Sequence, residues 1–190
     1  MRTRNLILTT LGVLVFVAGA AWAQTPYSLK SAKASVKGTS SLHDWESAIK
    51  VVTWKGTLIA DAQNVTEVKT ADVVIKVVDI QSTKGKTMDN KTWEAFKYEK
   101  NPTIAFKLTS ASVTAGTVQA KGNLTMAGVT KPITLAVKSK VLANGEIQLT
   151  TSYTFKMTEF KMEPPTAMMG TIKVGDEVTV LFDLTLTRSK

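Results

Sequence analysis

Lys121–Val137 reads KGNLTMAGVTKPITLAV and decides the fold, because it contains two short runs in which apolar and polar residues alternate. In the first run, Leu124 and Met126 share one parity and polar residues occupy the other, which is the period-2 pattern of a half-buried strand. A turn marked by glycine and proline follows at Gly128–Pro132, and the alternation then resumes at Ile133. The segment therefore predicts an antiparallel β-hairpin.

The same alternation recurs along the rest of the chain. Six further groups of alternating apolar residues lie at 34–39, 52–60, 73–77, 104–108, 147–157 and 178–186. Together with the hairpin they predict eight strands, the number at which a closed sheet has room for one small ligand. Short turns such as Asn144–Gly145 favour an up-and-down order. The sequence therefore predicts an all-β protein built on an eight-stranded antiparallel barrel.

One segment, at about 89–100, departs from strand periodicity. Asp89 is suited to cap a helix, Trp93 and Phe96 are spaced for one helical face, and Asn101–Pro102 is a stop signal. We predict one short helix here. Its aromatic face either gates one end of the barrel or fills its core, and the sequence leaves both readings open.

The N-terminus has the pattern of an export signal. Basic residues precede an apolar run at Leu6–Ala20, and Ala21–Ala23 has the small-x-small pattern of a cleavage site. A retained membrane anchor is the weaker reading, because the run is shorter than the ~20 apolar residues of a spanning helix. We therefore expect a signal peptide at 1–23, a single barrel domain at 24–190, and a periplasmic or secreted protein.

Composition narrows the possible functions. The chain has no cysteine, which excludes thiol chemistry, cysteine metal sites and lipoprotein anchoring, and leaves strand pairing and apolar burial to stabilise an exported protein. Its formal net charge is +9, but the lysines are scattered singly along outward strand positions. Such scatter argues against a nucleic-acid partner. It indicates a solubilising surface or attraction to an anionic membrane surface.

With these elements placed, the chain resembles the YceI-like family of exported, lipocalin-like proteins. The resemblance rests on Gly38–Trp45 (GTSSLHDW), Phe96–Phe106 (FKYEKNPTIAF) and Gly122–Pro132 (GNLTMAGVTKP), and it extends from about Tyr27 to Leu186. The chain departs from the family pattern at Lys161, where many relatives carry a glycine just after a phenylalanine.

The resemblance implies an elongated apolar cavity that holds an isoprenoid chain, such as a quinone or prenyl-phosphate tail, with no other cofactor. The residues agree, since eight strands supply many inward apolar side chains and no converging catalytic polar set. We predict neither catalysis nor a metal site. The candidate ligand-binding residues are Trp45, Trp54, Ile75, Val77, Trp93, Phe96, Phe106, Leu108, Leu124, Met126, Leu135, Leu149, Tyr153, Phe155, Phe182 and Leu184.

His43 is the one histidine of the chain and has three readings. It is either a hydrogen-bonded turn residue, a contact to the ligand head group, or a metal ligand. Ser41, His43 and Asp44 have the residue types of a hydrolytic triad and lie close together in the sequence. Neighbours on an extended segment alternate faces, however, and the Gly-x-Ser-x-Gly elbow is missing, so an esterase is disfavoured.

Four methionines, Met157, Met162, Met168 and Met169, lie in one short segment with Pro164–Pro165 between them. Thioethers bind Cu(I), but methionine more often fills irregular apolar gaps. Because alternation is lost here and Pro164–Pro165 interrupts the segment, we expect Lys156–Gly170 to form a flexible lid over the barrel mouth.

Two functions of different classes follow. The first is an exported carrier or binding protein for an isoprenoid or another amphiphilic lipid. The second is a ligand-free envelope interaction module with a filled barrel. The carrier requires a cavity and the module predicts a packed interior. A homodimer is left open in both.

Overall fold

In the computed structural model, which describes residues 25–189, the alternating segments form antiparallel strands joined mostly by short turns. The eleven strands are β1 (Thr25–Ser40), β2 (Trp45–Ile49), β3 (Thr53–Ala60), β4 (Val65–Lys76), β5 (Ile80–Ser82), β6 (Thr103–Thr114), β7 (Thr117–Met126), β8 (Val129–Val141), β9 (Ile147–Lys156), β10 (Thr166–Ala167) and β11 (Ile172–Arg188). The predicted signal peptide at 1–23 lies outside the described residues. Within residues 25–189, no helix is long and apolar enough to cross a membrane.

Eight of these strands close into a barrel. In the order β1, β3, β4, β6, β7, β8, β9 and β11, each pairs with the next, and β11 pairs back with β1. The predicted eight-stranded antiparallel barrel is therefore confirmed. The short strands β2 and β5 extend it at one end, and β10 pairs with the start of β11.

β1 and β11 form the ladder that closes the barrel. Its register runs from Tyr27 opposite Arg188 to Ser40 opposite Val174, with two irregularities. The sequence predicted β1 only at about 34–39, whereas the strand begins at Thr25. Its first half, Thr25–Ala32, has only Tyr27 and Leu29 as large apolar residues, so apolar alternation there is too short to identify a strand.

The deciding hairpin is present, but its turn lies earlier than predicted. Met126 pairs with Val129, so the two-residue turn is Ala127–Gly128, with φ of 49° and 79°. Two successive residues of positive φ form the type I′ turn that suits the twist of a hairpin. Pro132, predicted to end the turn, instead lies inside β8 opposite Asn123.

The helix prediction needs a similar correction, because α1 spans Lys86–Ala95 rather than 89–100. Gly85 precedes it with φ of 91°, so Asp89 is not the cap. Asp89 lies inside the first turn, where its carboxylate accepts the Ser82 N–H at 2.6 Å and ties the helix to β5. The stretch after Ala95 continues as turns, with Lys97 at φ 53°.

The wall is incomplete between β8 and β9, and we call this stretch the seam. These strands pair only from Lys138 opposite Thr150 to Val141 opposite Ile147, although both continue well beyond. At the start of the pairing Leu142 N–H donates to Glu146 O. Hydrogen bonding alternates sides along a strand. The even-numbered residues of both strands therefore direct their backbone groups into the seam, and Pro132 places there a nitrogen that has no hydrogen to donate.

Side chains fasten the seam at both ends. At one end Thr151 Oγ1 donates to Ala136 O at 2.9 Å. At the other, Lys131 Nζ lies 3.4 Å from Glu159 and 5.5 Å from the centre of the Phe160 ring. The stretch of β8 between these contacts is about five residues, or ~17 Å at the rise of a strand.

Amide hydrogen exchange resolved by residue tests the seam. We expect the Thr134 and Thr154 amides, which point into it, to exchange quickly. Leu135 and Tyr153, whose amides face β7 and β11, should be protected. The paired neighbours on the same strands are the internal control. Equal protection of all four amides would mean that the ladder continues, contrary to this description.

Candidate ligand-binding cavity

One end of the barrel is plugged by side chains. Val65, Ile147 and Leu186 are at most 1% exposed, and Tyr27 is 5% exposed. They come from the ends of four strands that meet at this level. Apolar burial of this kind closes the barrel without any cross-link.

Above the plug the barrel is hollow. Its cavity has a volume of about 770 Å³ and is lined by inward side chains from every strand of the barrel, most of them aliphatic or aromatic. This volume lies within the ~300–1,000 Å³ of ligand pockets, which are usually apolar with a few polar groups. The inward parity predicted for β7 is confirmed, since Val118, Ala120, Leu124 and Met126 are all buried.

Three aromatic rings pack against this wall where inward-facing glycines leave room for them. A Cβ added at Gly38 would lie 2.7 Å from the Trp45 ring. At Gly56 it would lie 2.7 Å from the Trp54 ring, and at Gly122 it would lie 2.5 Å from the Phe106 ring. Each ring covers the bare backbone of a glycine instead of projecting into the centre. The glycines thus help to keep the barrel hollow.

Fourteen of the sixteen predicted binding residues line the cavity. They are Trp45, Trp54, Ile75, Phe96, Phe106, Leu108, Leu124, Met126, Leu135, Leu149, Tyr153, Phe155, Phe182 and Leu184. Period-2 alternation identified all of them except Trp45 and Phe96, because it fixes the face on which a strand residue lies. That they contact a ligand stays a prediction.

Val77 and Trp93 lie outside the cavity wall, and their assignment is corrected. Val77 follows β4 in a short 3-10 turn, Val77–Asp79, where it is fully buried. Trp93 donates its ring N–H to Ile80 O at 3.0 Å and packs against Tyr98. It therefore anchors α1 to β5, while Phe96 just after the helix reaches the cavity.

The residues around the cavity mouth were missed. They come from the loop after β1, the loop before α1, α1 itself and the segment that contains β10: Leu42, Asp44, Thr83, Lys84, Met88, Lys91, Pro165, Thr166 and Ala167. Most belong to loops and a helix, which carry no period-2 signal. The opening is therefore more polar than the interior.

His43 lies at this mouth, in a turn ordered by Ser40. The Ser40 hydroxyl donates to His43 O at 2.7 Å and accepts the His43 N–H at 3.2 Å, and His43 Nδ1 lies 2.8 Å from Asp44 O. The Ser41 hydroxyl is engaged with the backbone of β11, accepting the Lys173 N–H at 3.0 Å. No group of three or more His, Asp or Glu side chains is gathered for a metal ion within the described chain.

The four methionines divide between two environments. Met157 and Met162 are buried and line the cavity, as core-filling predicts. Met168 and Met169 are 73% and 108% exposed at the rim, with φ of 50° and 54°. The segment between Met162 and Met168 contributes Pro165 to the mouth, where a lid would lie. The mobility of this segment stays a prediction.

The backbone conformation at Lys161 is one that suits glycine. Lys161 follows Phe160 at φ 56°, in the left-handed conformation that ends a short 3-10 turn, Met157–Phe160. This conformation is easy for glycine and strained for lysine. Lys97 Nζ donates to Lys161 O at 2.9 Å and helps to hold the turn.

Tyr153 brings a hydroxyl to the apolar wall beside the seam. Its ring stacks on Phe155 with centroids 5.6 Å apart. Partial burial raises the pKa of the Tyr153 phenol, and the negative charge of Glu159 raises it further. Both effects extend to higher pH the range over which the phenol stays a neutral donor.

A double-mutant cycle tests the ring-on-glycine packing. Gly38→Ala should destabilise the barrel by about 1–3 kcal/mol, because the new methyl group overlaps the Trp45 ring. In a Trp45→Ala background the same change should cost less than half as much. Urea unfolding measures both. An equal loss in the two backgrounds would contradict a role for the ring.

A pH titration tests the environment of Tyr153. Phenolate absorbance, compared with that of Tyr153→Phe, should reveal a phenol that ionises above the ordinary value of ~10. Because the unfolded chain then ionises first, this group should favour unfolding as the pH rises past ~10. Glu159→Gln should reverse only the smaller part of the shift, since burial is the larger cause. An ordinary or lowered pKa would contradict the description.

Comparisons with known proteins agree with this architecture. The family model of the YceI-like domain matches residues 27–186. Among curated proteins no match was found. Similar solved structures include BcnA from Burkholderia cenocepacia, with 18% identity, coverage of 82% of this chain and 96% of that chain, and a TM-score of 0.65.

Two further structures are similar. A polyisoprenoid-binding domain from Saccharophagus degradans, implicated in plant cell wall breakdown, has 13% identity, coverage of 87% of this chain and 100% of that chain, and a TM-score of 0.66. The YceI protein of Campylobacter jejuni has 19% identity, coverage of 100% and 99%, and a TM-score of 0.55. At these identities the structures establish the fold. The family match spans most of the chain, and its bounds agree with those of the sequence motifs, so the chain belongs to the YceI-like family.

Proposed function

We propose that this protein is an exported, non-catalytic carrier of an isoprenoid or another amphiphilic lipid. The observation that carries the proposal is the apolar cavity of about 770 Å³, open at one end and plugged at the other. The Saccharophagus relative is named as a polyisoprenoid-binding domain, which supports this ligand class. A ligand-free module would need no such space.

The size of the cavity suits a medium-length chain. At the ~30 Å³ that a group the size of water occupies in a liquid, about 770 Å³ holds roughly 25 non-hydrogen atoms. Burial of ten methylenes gains roughly 8 kcal/mol at ~0.8 kcal/mol each. This gain is comparable to the ~4–15 kcal/mol cost of association. An apolar chain of this length therefore binds without any polar contact.

The mouth suggests how the ligand is oriented. The chain would lie in the apolar interior, with the head group near the polar mouth, where His43 and Lys91 line the opening. Three exposed apolar side chains, Leu42, Met168 and Met169, lie around this opening. They give the carrier a rim that fits a membrane surface. Removal of Arg2 and Arg4 with the signal peptide leaves 22 basic and 15 acidic residues, and this net charge of +7 favours an anionic surface.

The proposed location follows from the N-terminal sequence. Cleavage after Ala23 would release the barrel into the periplasm or the medium, where a water-soluble carrier of lipid has a use. The homodimer stays a prediction that sedimentation equilibrium can test.

Mass spectrometry of protein from its native envelope tests the function. Native conditions should reveal near-stoichiometric bound lipid, and extraction with organic solvent should release a long-chain isoprenoid. A clean apoprotein that also takes up neither ubiquinone nor prenyl phosphate would overturn the carrier and favour the interaction module.

A matched pair of variants links the cargo to the cavity. Ala120 lines the cavity, and Ala120→Phe adds six ring carbons to the interior, which should weaken lipid binding by at least about tenfold while circular dichroism stays that of a barrel. Gln119→Phe adds the same ring to the exposed face of the same strand and should keep the lipid. Retention of lipid by Ala120→Phe would place the cargo elsewhere.

A further inference from the structure

The seam between β8 and β9 borders the cavity directly. On its inner side, Ile133 and Leu135 of β8 face Tyr153 and Phe155 of β9, and all four line the cavity. The ladder does not reach these residues. Side-chain contacts, and not backbone hydrogen bonds, therefore separate the cavity from the outside along this stretch.

Outside the barrel, a groove of about 730 Å³ lies over one end of the seam. Ala136 and Ser152, on opposite sides of the seam, both line it. Thr151 and Phe182 line both the groove and the cavity. Thr151 and Phe182 are partners in the β9–β11 ladder, which therefore forms the wall beside the seam between the groove and the cavity.

The outer edges of the seam carry no charge. Their exposed residues are Pro132, Thr134, Ala136, Ser152 and Thr154. Lysines stand only at the ends, at Lys131, Lys138 and Lys156. An apolar chain that crosses between the edges therefore desolvates no ionised group, which would otherwise be a large barrier.

The seam is also the line along which the barrel separates most easily. Its fastenings are one hydrogen bond, worth ~0.5–1.5 kcal/mol net, and one exposed ion pair, worth ~0–1 kcal/mol. On the other side of β9, the ladder with β11 continues from Ile147 to Lys156. Opening at any other strand pair would break several backbone hydrogen bonds at once.

We propose that the seam is a lateral portal through which the apolar chain of the ligand enters and leaves the cavity sideways. The proposal rests on the proposed function and adds the route by which the ligand reaches the cavity. With the plug closing one end, a chain that used the mouth alone would have to thread in lengthwise. A chain that parts the seam meets the cavity along ~17 Å of its length.

Cross-linking tests the portal cleanly because the chain has no natural cysteine. Thr134→Cys/Thr154→Cys places one thiol on each outer edge, and a short bismaleimide with a cleavable internal disulfide joins them across the seam. The control is Thr125→Cys/Thr130→Cys with the same reagent. It joins β7 to β8, where the two hydroxyl oxygens already lie 2.8 Å apart. Both variants are made in the chain that starts at Gln24, which retains the whole described barrel.

The probe is a conjugated tetraene fatty acid, whose fluorescence is excited by transfer from the cavity tryptophans. Stopped-flow mixing with loaded or empty phosphatidylcholine vesicles measures uptake and release. The cross-linked seam should slow both by at least about tenfold, because opening limits the exchange. The Kd should stay within about twofold, since a route affects both rates alike. Reductant should restore the rates, and the control should not change them.

Two outcomes would overturn the proposal, and they are distinguishable. If the rates of uptake and release are unchanged when the seam is cross-linked, the ligand enters and leaves through the mouth. The carrier function would then stand without the portal. Absence of uptake by the unmodified barrel, measured with the tetraene and with ubiquinone, would overturn the carrier function and the portal together.

Discussion

The pairing of β1 with β11 is the constraint on which the rest of the barrel depends. It joins the first and last strands over nearly their whole length, from Tyr27 opposite Arg188 to Ser40 opposite Val174. Without it the sheet would have two long edges, and its apolar face would have no partner across the barrel. Because the chain has no disulfide to hold its ends together, this ladder and the apolar plug must do so. Pairing so remote in sequence is slow to form, and we infer that closure completes folding.

A closed barrel must also stay hollow, which opposes the usual tendency of a core to fill. Protein interiors pack as densely as organic crystals, and a cavity gives up contacts that its lining atoms would otherwise make. In this barrel the loss is limited because Trp45, Trp54 and Phe106 spread over glycine backbone. The rings occupy the space that a side chain at each glycine would need, and all three also line the cavity. The interior is thereby lined with aromatic surface that an apolar chain can cover.

Alternation in the sequence was sufficient to predict eight strands, the closed barrel and twelve of the fourteen wall residues that were predicted correctly. It succeeded because each strand has one face inside and one outside, so burial is written into every second position. It failed where geometry is set by backbone conformation or by loops. The turn Ala127–Gly128 depends on positive φ at an alanine, which no composition rule identifies. Trp93 lies on the apolar face expected of its helix, yet its ring N–H binds Ile80 O, and only the packed structure reveals that partner.

The seam shows a limit of another kind, because the strands beside it alternate as regularly as those of any paired ladder. Ile133 and Leu135 point inward as expected, and nothing in their periodicity reveals that the neighbouring strand has separated. Only Pro132 marks the place, since proline in a central strand would remove a ladder hydrogen bond and is tolerated where no partner is present. The closed barrel and the seam therefore leave different signals in the sequence. Closure is signalled by a long repeating pattern, whereas the seam is signalled only by Pro132, which cannot donate a backbone hydrogen bond.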